Sequence, residues 1–187
     1  MPFPENDSEL KNYQIVFATA QGKIRKNSLE DFSSINSSGK IAMKLDTNDK
    51  IVGVKICKED QDIILSTKLG KCIRFESKKL RVFKGRSSKG IKGIVLAPND
   101  KIVGVKICKE DQDIILSTKF GKCIRFESKK LRIFKGRSSK GIKGIVLAPN
   151  DEIVSLSIID NNKIKKNGKN TKEDKSELIA KQKFILS

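Results

Sequence analysis

Short runs of alternating apolar and polar residues recur along the chain, and they predict β-strands. The run "KIVGVKI" places Val52, Val54 and Ile56 on one face, and a short apolar run, "DIILST", follows it. "GKCIRF" comes after a glycine turn and places Ile73 and Phe75 on one face, and "GIVLA" is a last short run before "PND". Four such strands within about 50 residues match the size of one propeller-like blade.

The whole four-strand unit occurs twice in nearly identical form. Lys50–Asp100 and Lys101–Asp151 differ at only two positions, where leucine is replaced by Phe120 and valine by Ile133. Both replacements exchange one apolar side chain for another, which is compatible with a shared core position. One such sheet cannot bury both of its faces alone, whereas stacked neighbours can. The repeat therefore predicts a stack of sheets.

A diverged copy precedes these two. Val16–Phe32 aligns with Ile64–Leu80, Gly39–Val54 aligns with Gly90–Val105, and the C-terminal "KFILS" is similar to the start of another copy. We predict an all-β, propeller-like repeat fold of about three four-stranded blades in an incomplete disc; a β-solenoid, whose repeats are usually shorter, is the alternative. The predicted order is an N-terminal arm 1–14, a diverged blade 15–49, a blade 50–100, a duplicated blade 101–159, a flexible basic linker 160–182 with a short helix at 172–181, and the start of a truncated further blade at 183–187.

The charge of the chain is strongly one-sided. It has 40 Lys and Arg against 22 Asp and Glu, a formal net charge of +18. This balance predicts attraction to a polyanion, with nucleic acid as the first candidate. An anionic membrane surface is the second candidate, but the sequence has no long amphipathic helix to lie on one. Each 51-residue copy carries a net charge of +8, so the charge belongs to the repeat and not to a tail.

Within each copy the cations cluster in a glycine- and serine-rich segment, "ESKKLRVFKGRSSKGIKG" in the first copy. Its glycines allow the backbone to approach closely and its serines add hydroxyl donors, a mixture that suits contact with phosphates and needs no base code. Repeated at a fixed interval, such segments would form a basic track along which a duplex bends. A solvated loop between strands is the plain alternative. The candidate DNA-binding residues are Lys78, Lys79, Arg81, Lys84, Arg86, Lys89, Lys92, Lys129, Lys130, Arg132, Lys135, Arg137, Lys140 and Lys143.

The sequence shows no catalytic constellation. Histidine is absent, neither GxxxxGK[ST] nor GxGxxG occurs, and the single tyrosine, Tyr13, lies in a polar segment. Asp60 and Asp62 lie in "KEDQD", which we interpret as a plain hairpin turn. We expect no metal and no cofactor, because the cysteines have poor spacing for zinc. We interpret Cys57, Cys72, Cys108 and Cys123 as small, buried, apolar side chains of a protein in a reducing compartment. A secretory signal and a membrane-spanning apolar run are both lacking, so the expected location is the cytoplasm.

The text from about Val16 to Ile159 resembles the C-terminal domain of the bacterial gyrase A proteins, and topoisomerase IV belongs to the same family. "FATAQGKIRKNSLEDF", "GKIAMKLDTNDKIVGV", "DIILSTKLGKCIRF" and "LRIFKGRSSKGIKGIVLAPNDEIVSLSI" carry the resemblance, with strand and turn text in the same order in different blades. The resemblance implies a β-pinwheel, usually of six blades, whose basic rim binds and wraps DNA. It also implies a glycine-rich basic box in one blade, but "KGRSSKG" has serines where that box has paired glycines, so these two segments look like ordinary blade loops.

The resemblance places the function in DNA topology and supercoiling. The chain is expected to be a non-enzymatic part of an ATP-dependent type II topoisomerase, DNA gyrase, with one blade duplicated, because the cleavage domain and its catalytic tyrosine have no counterpart here. The expected partner is double-stranded DNA, bound without sequence specificity. In the parent enzyme the expected protein partners are the gyrase A cleavage domain and the gyrase B protein, and no membrane is involved. Two alternatives remain open: a repeat scaffold that self-associates through open blade edges, and a non-functional gene fragment.

Overall fold

The computed structural model describes residues 7–34, 37–39, 41–85, 87–136 and 138–161, and every long element within them is a β-strand. Short 3₁₀ helices lie at Asp7–Asn12, Leu29–Phe32, Ser77–Lys79 and Ser128–Lys130. The predicted all-β repeat fold is confirmed. The strands are β1 (Gln14–Thr19), β2 (Lys23–Ser28), β3 (Ile51–Cys57), β4 (Asp62–Thr67), β5 (Lys71–Glu76), β6 (Val82–Phe83), β7 (Ile91–Lys92), β8 (Ile102–Cys108), β9 (Gln112–Thr118), β10 (Cys123–Glu127), β11 (Ile142–Lys143) and β12 (Ile153–Asp160).

The strands form three sheets, which we number along the chain. Sheet 1 has the order β3-β1-β2, and both β6 and β7 pair with β2. Sheet 2 has the order β8-β4-β5-β11, and sheet 3 has the order β12-β9-β10. Each sheet is thus built on one antiparallel hairpin, and the first strand of that hairpin also pairs with a longer strand, which we call the inner strand: β3, β8 or β12.

The sheets do not begin and end at the same residues as the sequence repeats, so the two differ in phase. The strand β3 pairs with β1, with Phe17 opposite Val54, and β8 pairs with β4, with Leu65 opposite Val105. Each sheet therefore combines one hairpin with the first strand of the following copy, so the boundaries 15–49, 50–100 and 101–159 do not coincide with sheet boundaries. A repeat can be divided at any point without changing its period, which is why sequence self-similarity alone leaves the phase open.

This shift also changes the interpretation of "KEDQD". Because β3 and β4 belong to different sheets, the turn between them connects two sheets and does not close a hairpin. Asp62 is the first residue of β4, and its carboxylate lies 2.6 Å from Nη2 of Arg74. The hairpin-turn prediction for Asp60 and Asp62 was wrong, and Asp62 instead forms an ion pair with a nearly buried arginine.

Two apolar cores hold the sheets together. Along β4, Ile63 and Leu65 belong to the core between sheets 1 and 2, whereas Ile64 belongs to the core between sheets 2 and 3. This alternation follows from the two-residue period of a strand. All three side chains have no exposed surface, and each contributes about 1.5–3 kcal/mol of hydrophobic stabilisation. A strand buried on both faces explains why "DIILST" is a continuous apolar run.

Glycines allow the inner strands of neighbouring sheets to approach closely. A Cβ atom added to Gly53 of β3 would lie 2.2 Å from Cγ1 of Val105 in β8. A Cβ atom added to Gly104 of β8 would lie 2.7 Å from Cβ of Leu156 in β12. Both distances are too short for carbon atoms, so the packing of β3, β8 and β12 requires the absence of a side chain at these two positions.

The cysteines are free, and three of the four are buried as predicted. Burial raises the pKa of the Cys72 and Cys108 thiols to about 12, while Cys123 is half-buried. In the described ranges no group of three or more Cys, Asp or Glu side chains could hold a metal ion. None of the helices in these ranges is long and apolar enough to span a membrane.

The structure describes the predicted N-terminal arm and C-terminal linker only in part. Part of the predicted arm 1–14 is folded, because Asp7–Asn12 forms a 3₁₀ helix and Leu10 is buried. Most of the predicted linker 160–182, its short helix at 172–181, and the segment 183–187 lie outside the described residues.

Candidate nucleic-acid interface

The two basic segments form equivalent loops on successive sheets. Basic loop 1 (residues 84–90) connects β6 and β7, and both of these strands pair with β2 of sheet 1. Basic loop 2 (residues 135–141) lies on sheet 2 in the same way, where Ile133 bridges to Arg74 and Ile142 pairs with Cys72 of β5. Each loop therefore has both ends attached to the outer strand of the preceding sheet, although in sequence it belongs to the following copy.

A glycine at the end of each loop brings the backbones together. Gly90 and Gly141 have φ values of +75° and +70°, which side chains of L-residues rarely adopt. A Cβ atom at Gly90 would lie 2.5 Å from the carbonyl oxygen of Ile24, and one at Gly141 would lie 2.6 Å from that of Cys72. Conformation and space both demand glycine at this point of "SKGIKG".

Basic loop 1 wraps around a buried arginine that the sequence analysis did not single out. Nη1 of Arg25 donates to the carbonyl oxygen of Ser88 at 2.5 Å and to its Oγ at 3.0 Å, and Nη2 donates to the carbonyl oxygen of Gly85. Nδ2 of Asn27 donates to the same Gly85 oxygen at 2.9 Å and to that of Phe83 at 3.0 Å. Arg25 is only 1% exposed, and burial lowers the pKa of its guanidinium, opposed by the Asp31 carboxylate. Arg25 and Asn27 thus fix the path of the loop.

Basic loop 2 has the same sequence but a different support. The positions that correspond to Arg25 and Asn27 are Ile73 and Phe75 in sheet 2, as the hairpin alignment shows. Phe134 packs with both side chains in the core between sheets 1 and 2, and its amide donates to the carbonyl oxygen of Arg74 at 2.8 Å. Two identical loops are therefore held by a polar contact network in one sheet and by apolar packing in the other.

A second cation position links each sheet to the copy that follows. Nζ of Lys26, which is 1% exposed, donates to the carbonyl oxygen of Ser77 at 2.9 Å. The equivalent Arg74, which is 2% exposed, donates through Nη1 to the carbonyl oxygen of Ser128 at 2.7 Å. Desolvation lowers the pKa of Lys26 from its ordinary value. A basic residue inside a strand segment was the available sequence signal for Lys26 and Arg74, but sequence alone could not separate these buried cations from exposed ones.

Every candidate DNA-binding residue that the structure describes is exposed, whereas Arg86 and Arg137 lie outside the described residues. The exposed candidates surround the two loops and the 3₁₀ helices that precede them. Arg81 and Arg132 also cover the rings of Phe83 and Phe134, with Cζ at 4.2 and 4.5 Å from the ring centroids. The described candidates are Lys78, Lys79, Arg81, Lys84, Lys89, Lys92, Lys129, Lys130, Arg132, Lys135, Lys140 and Lys143.

Acidic neighbours distinguish two groups among these cations, one paired with carboxylates and one unpaired. Lys78 and Lys129 each contact a glutamate of their own copy, at 3.0 and 2.7 Å. Lys89 contacts Asp46, whose pKa is lowered by hydrogen bonds from Lys23 and Lys89. Within the described part of the chain no carboxylate lies within ion-pair distance of a second group of lysines, which comprises Lys84, Lys92, Lys135, Lys140 and Lys143.

The pairing of Lys89 distinguishes the two loops. The residue that corresponds to Asp46 in the next copy is Ala97, so Lys140 has no carboxylate where Lys89 has one. The exposed charge is therefore greater at basic loop 2. Glycine and serine residues beside unpaired lysines can donate backbone, hydroxyl and ammonium hydrogen bonds to phosphate oxygens, which is the chemistry of backbone contact with nucleic acid.

Comparison with known proteins agrees with the sheet boundaries. The model of the DNA gyrase C-terminal domain, a β-propeller, matches three successive stretches, residues 13–58, 61–109 and 112–160. Each stretch contains one hairpin and the long strand that pairs with it. This chain belongs to the DNA gyrase C-terminal domain family. The family that the sequence resembled is thereby confirmed, and the matched stretches have the phase of the sheets.

Several bacterial relatives are similar over most of this chain. It is 40% identical over 175 residues to the DNA gyrase A protein of Rickettsia conorii, covering 86% of this chain and 19% of the relative. It is 45% identical over 142 residues to the gyrase A protein of Rickettsia bellii, covering 73% of this chain and 15% of the relative. The chain thus spans less than a fifth of the length of these relatives. Its fold is similar to the C-terminal domain of DNA topoisomerase IV, with a TM-score of 0.75 and 23% identity over 85% of this chain and 50% of that domain.

Proposed function

We propose that this family member is a DNA-binding module whose basic loops 1 and 2 contact the phosphate backbone of a duplex. The observation that carries the proposal is the recurrence of one exposed Gly/Ser/Lys loop at the same place on two successive sheets. Ligands with a regular repeat of charge, such as duplex DNA, suit a protein that repeats its cations on successive structural units. The relatives that match most of the chain are components of DNA gyrase, which supports DNA as the polyanion.

The candidate cations have different roles in this proposal. The unpaired Lys84, Lys92, Lys135, Lys140 and Lys143 make the main phosphate contacts, while the cations of the 3₁₀ helices and Arg81 and Arg132 extend the same surface. Phosphate contacts carry no sequence information, so binding is non-specific. A duplex that follows both loops bends along the surface, and continued contact on further blades would wrap it.

The proposed biological setting follows from the relatives. As part of a gyrase A-type protein, the module would hold DNA for a type II topoisomerase in the bacterial cytoplasm. Strand cleavage and ATP use would be supplied by a cleavage domain and the gyrase B protein. The chain itself contributes binding and DNA geometry, and no catalytic step.

The test is a comparison of two charge-matched variants by fluorescence anisotropy with a labelled duplex. In the loop variant two lysines of the basic loops, Lys84 and Lys135, and two of the short strands that follow them, Lys92 and Lys143, are changed to Gln. In the control variant four other exposed lysines that lie outside the basic loops, Lys50, Lys58, Lys101 and Lys109, are changed to Gln. The loop variant should lose more than about 1.4 kcal/mol of binding free energy, a tenfold loss of affinity, relative to the control variant. Equal loss in both variants would mean that net charge, and not the loops, binds DNA.

Specificity and bending have separate readouts. Two duplexes of unrelated sequence should bind with the same affinity, and a difference larger than a few-fold would contradict backbone contact. A duplex with a donor and an acceptor dye at its ends should show increased energy transfer when the protein binds. Unchanged transfer would remove bending from the proposal.

A further inference from the structure

Among the described residues, sheet 3 has an outer edge without the strand found on the other two sheets. In sheet 1 the outer strand β2 receives β7, and in sheet 2 the outer strand β5 receives β11. Among the described residues, the equivalent strand β10 pairs only with β9. An edge strand with unpaired backbone groups is a ready acceptor for another strand.

The side chains of this edge are exposed where their counterparts are buried. Arg74 of β5 is 2% exposed, whereas the side chain of the equivalent Arg125 of β10 is 38% exposed. Cys72 is fully buried, whereas Cys123 is only half-buried. The two strands have the same sequence from cysteine to glutamate, so the difference comes from what covers them.

Gly121 marks the vacant position most clearly. The carbonyl oxygens of Gly22 and Gly70, which correspond to Gly121, accept hydrogen bonds at 2.8 Å from the amides of Gly93 and Gly144. A Cβ atom added to Gly22 or Gly70 would lie 3.1 Å from a carbonyl oxygen of the docked segment, whereas one added to Gly121 would meet nothing within 4 Å. Gly121 has the same left-handed backbone, with φ of +85°, so its conformation is ready for docking.

The diverged first copy carries the matching donor. By the alignment of Gly39–Val54 with Gly90–Val105, Gly39 corresponds to Gly90, and its φ of +76° is nearly the same. A Cβ atom at Gly39 would have open space around it, whereas Gly90 lies against sheet 1. The amide of Lys44 donates to the Ser88 carbonyl oxygen, as that of Val95 does to Ser139. The segment thus has the donor conformation without an acceptor among the described residues.

The inner strands show the same asymmetry between the two ends of the chain. Ile102 and Val105 of β8 are 1% and 4% exposed, because β8 packs against β3. The equivalent residues of β3, Ile51 and Val54, are 38% and 41% exposed. In the described part of the chain, the apolar face of sheet 1 therefore has no neighbouring inner strand of the kind that sheet 2 has.

We propose that a second copy of this chain fills both vacancies, with Gly39 and residues 41–45 of one copy docked on β10 of the other. In the register of the two internal pairings, Ile41 would lie opposite Lys122, and the amide of Ala42 would donate to the Gly121 carbonyl oxygen. Strand β12 of one copy would then lie beside Ile51 and Val54 of the other, in a looser contact than the internal ones because Ser155 occupies the position of Gly53 and Gly104. The fold match covers 50% of the topoisomerase IV C-terminal domain chain, so two copies together have about the extent of that chain and can close head to tail. This association does not depend on DNA binding.

Two features oppose the association and give it testable properties. Each chain carries a net charge of +18, so added salt should strengthen it, which is opposite to the effect of salt on DNA binding. Ala42 has a methyl group where the other copies have glycine. A Cβ atom at the equivalent Gly144 would lie 2.8 Å from the Cys72 sulfur. The Ala42→Gly variant should therefore associate more tightly than the unmodified protein.

The register is tested by cross-linking with introduced cysteines. The pair Ile41→Cys and Lys122→Cys should form an interchain disulfide under mild oxidation, because these residues face each other across the docked strands. The matched control is Ile41→Cys with Lys71→Cys, since Lys71 occupies the same place in sheet 2 and already pairs with Lys143. Ile41→Cys alone measures the background from Cys123. Equal cross-linking in all three proteins would overturn the proposed contact.

The mass in solution is tested by sedimentation equilibrium of the full chain. The unmodified protein should have twice the mass of one chain at high salt. Gly121→Asn introduces a residue that tolerates positive φ, but its side chain would block the docked segment. This variant should weaken association by about ten- to a hundred-fold. The control is Gly85→Asn, which also has positive φ and open space but lies in basic loop 1. A protein that stays monomeric at all concentrations would overturn the proposal. If the β10 amides of that monomer also resist hydrogen exchange, another part of the same chain covers the edge.

Discussion

The polar support of basic loop 1 gives the sharpest test of how the structure positions its cations. In the Arg25→Met variant the long apolar stem remains, but the donors to Gly85 and Ser88 are lost. Each carbonyl group keeps a second partner, because Asn27 still donates to Gly85 and the Lys44 amide to Ser88, so what is lost at each is one hydrogen bond from a charged donor, about 1.5–3 kcal/mol. Because Gly85 is exposed and Ser88 is half-buried, water replaces part of this loss, so we expect the free energy of unfolding to fall by about 2 kcal/mol.

Sheet 2 provides the matched control for this variant. Ile73 occupies the position of Arg25 there, and Ile73→Met should cost less than about 1.5 kcal/mol, because it exchanges apolar side chains of similar volume. Urea denaturation measures both changes, and hydrogen exchange locates them. In Arg25→Met the amides of basic loop 1 should exchange faster while those of basic loop 2 stay unchanged. Unchanged exchange in basic loop 1 would refute the role of Arg25 in holding it.

Four further predictions concern particular contacts. Gly104→Ala should lower the free energy of unfolding by about 1–3 kcal/mol in urea denaturation, because its Cβ would lie 2.7 Å from Cβ of Leu156. The control Gly136→Ala, whose Cβ would meet nothing within 4 Å, should leave the free energy of unfolding unchanged. Equal effects of the two changes would contradict the close packing of β8 and β12. Asp46→Ala introduces the residue that the next copy has, and it should release Lys89 and raise DNA affinity in anisotropy measurements. Asp60→Ala is the control, and equal gains in affinity would mean that net charge alone is responsible. Iodoacetamide should modify half-buried Cys123 before Cys72 and Cys108. Because folding raises the pKa of these two thiols to about 12, the folded chain keeps protons that the unfolded chain releases, so the free energy of unfolding should fall as pH rises above about 8.5; a flat profile up to pH 11 would contradict their burial.

The hydrophobic pattern predicted the strands well because their burial follows the two-residue period. Ile63, Ile64 and Leu65 are buried on two faces, as a continuous apolar run indicates. The pattern could not predict that Val54 and Val105 differ in exposure, 41% against 4%, since both lie in identical text. That difference comes from position in the stack, because β8 has a neighbouring inner strand on the side where β3 has none among the described residues.

The sequence indicated which lysines cluster in the candidate interface, but not where its loops lie on the sheets. The exposed lysines of both loops were identified from their clustering with glycine and serine. Sequence could not show that each loop lies on the preceding sheet, because that depends on strand pairing between copies far apart in the chain. Nor could it identify Arg25 as the support of basic loop 1. The partners of Arg25 are backbone carbonyl groups about 60 positions away in the chain, and contacts at that separation depend on the tertiary structure.

The dependence of DNA binding on salt tests the central claim most directly. The apparent binding constant of the unmodified chain, plotted against salt concentration on logarithmic axes, should fall with a slope of about −0.9 for each phosphate contacted. Changing Lys84, Lys92, Lys135 and Lys143 to Gln should make the slope shallower by about 3 to 4, while the control changes at Lys50, Lys58, Lys101 and Lys109 should leave it nearly unchanged. The same slope in the loop variant and the unmodified chain would contradict phosphate contact by the basic loops.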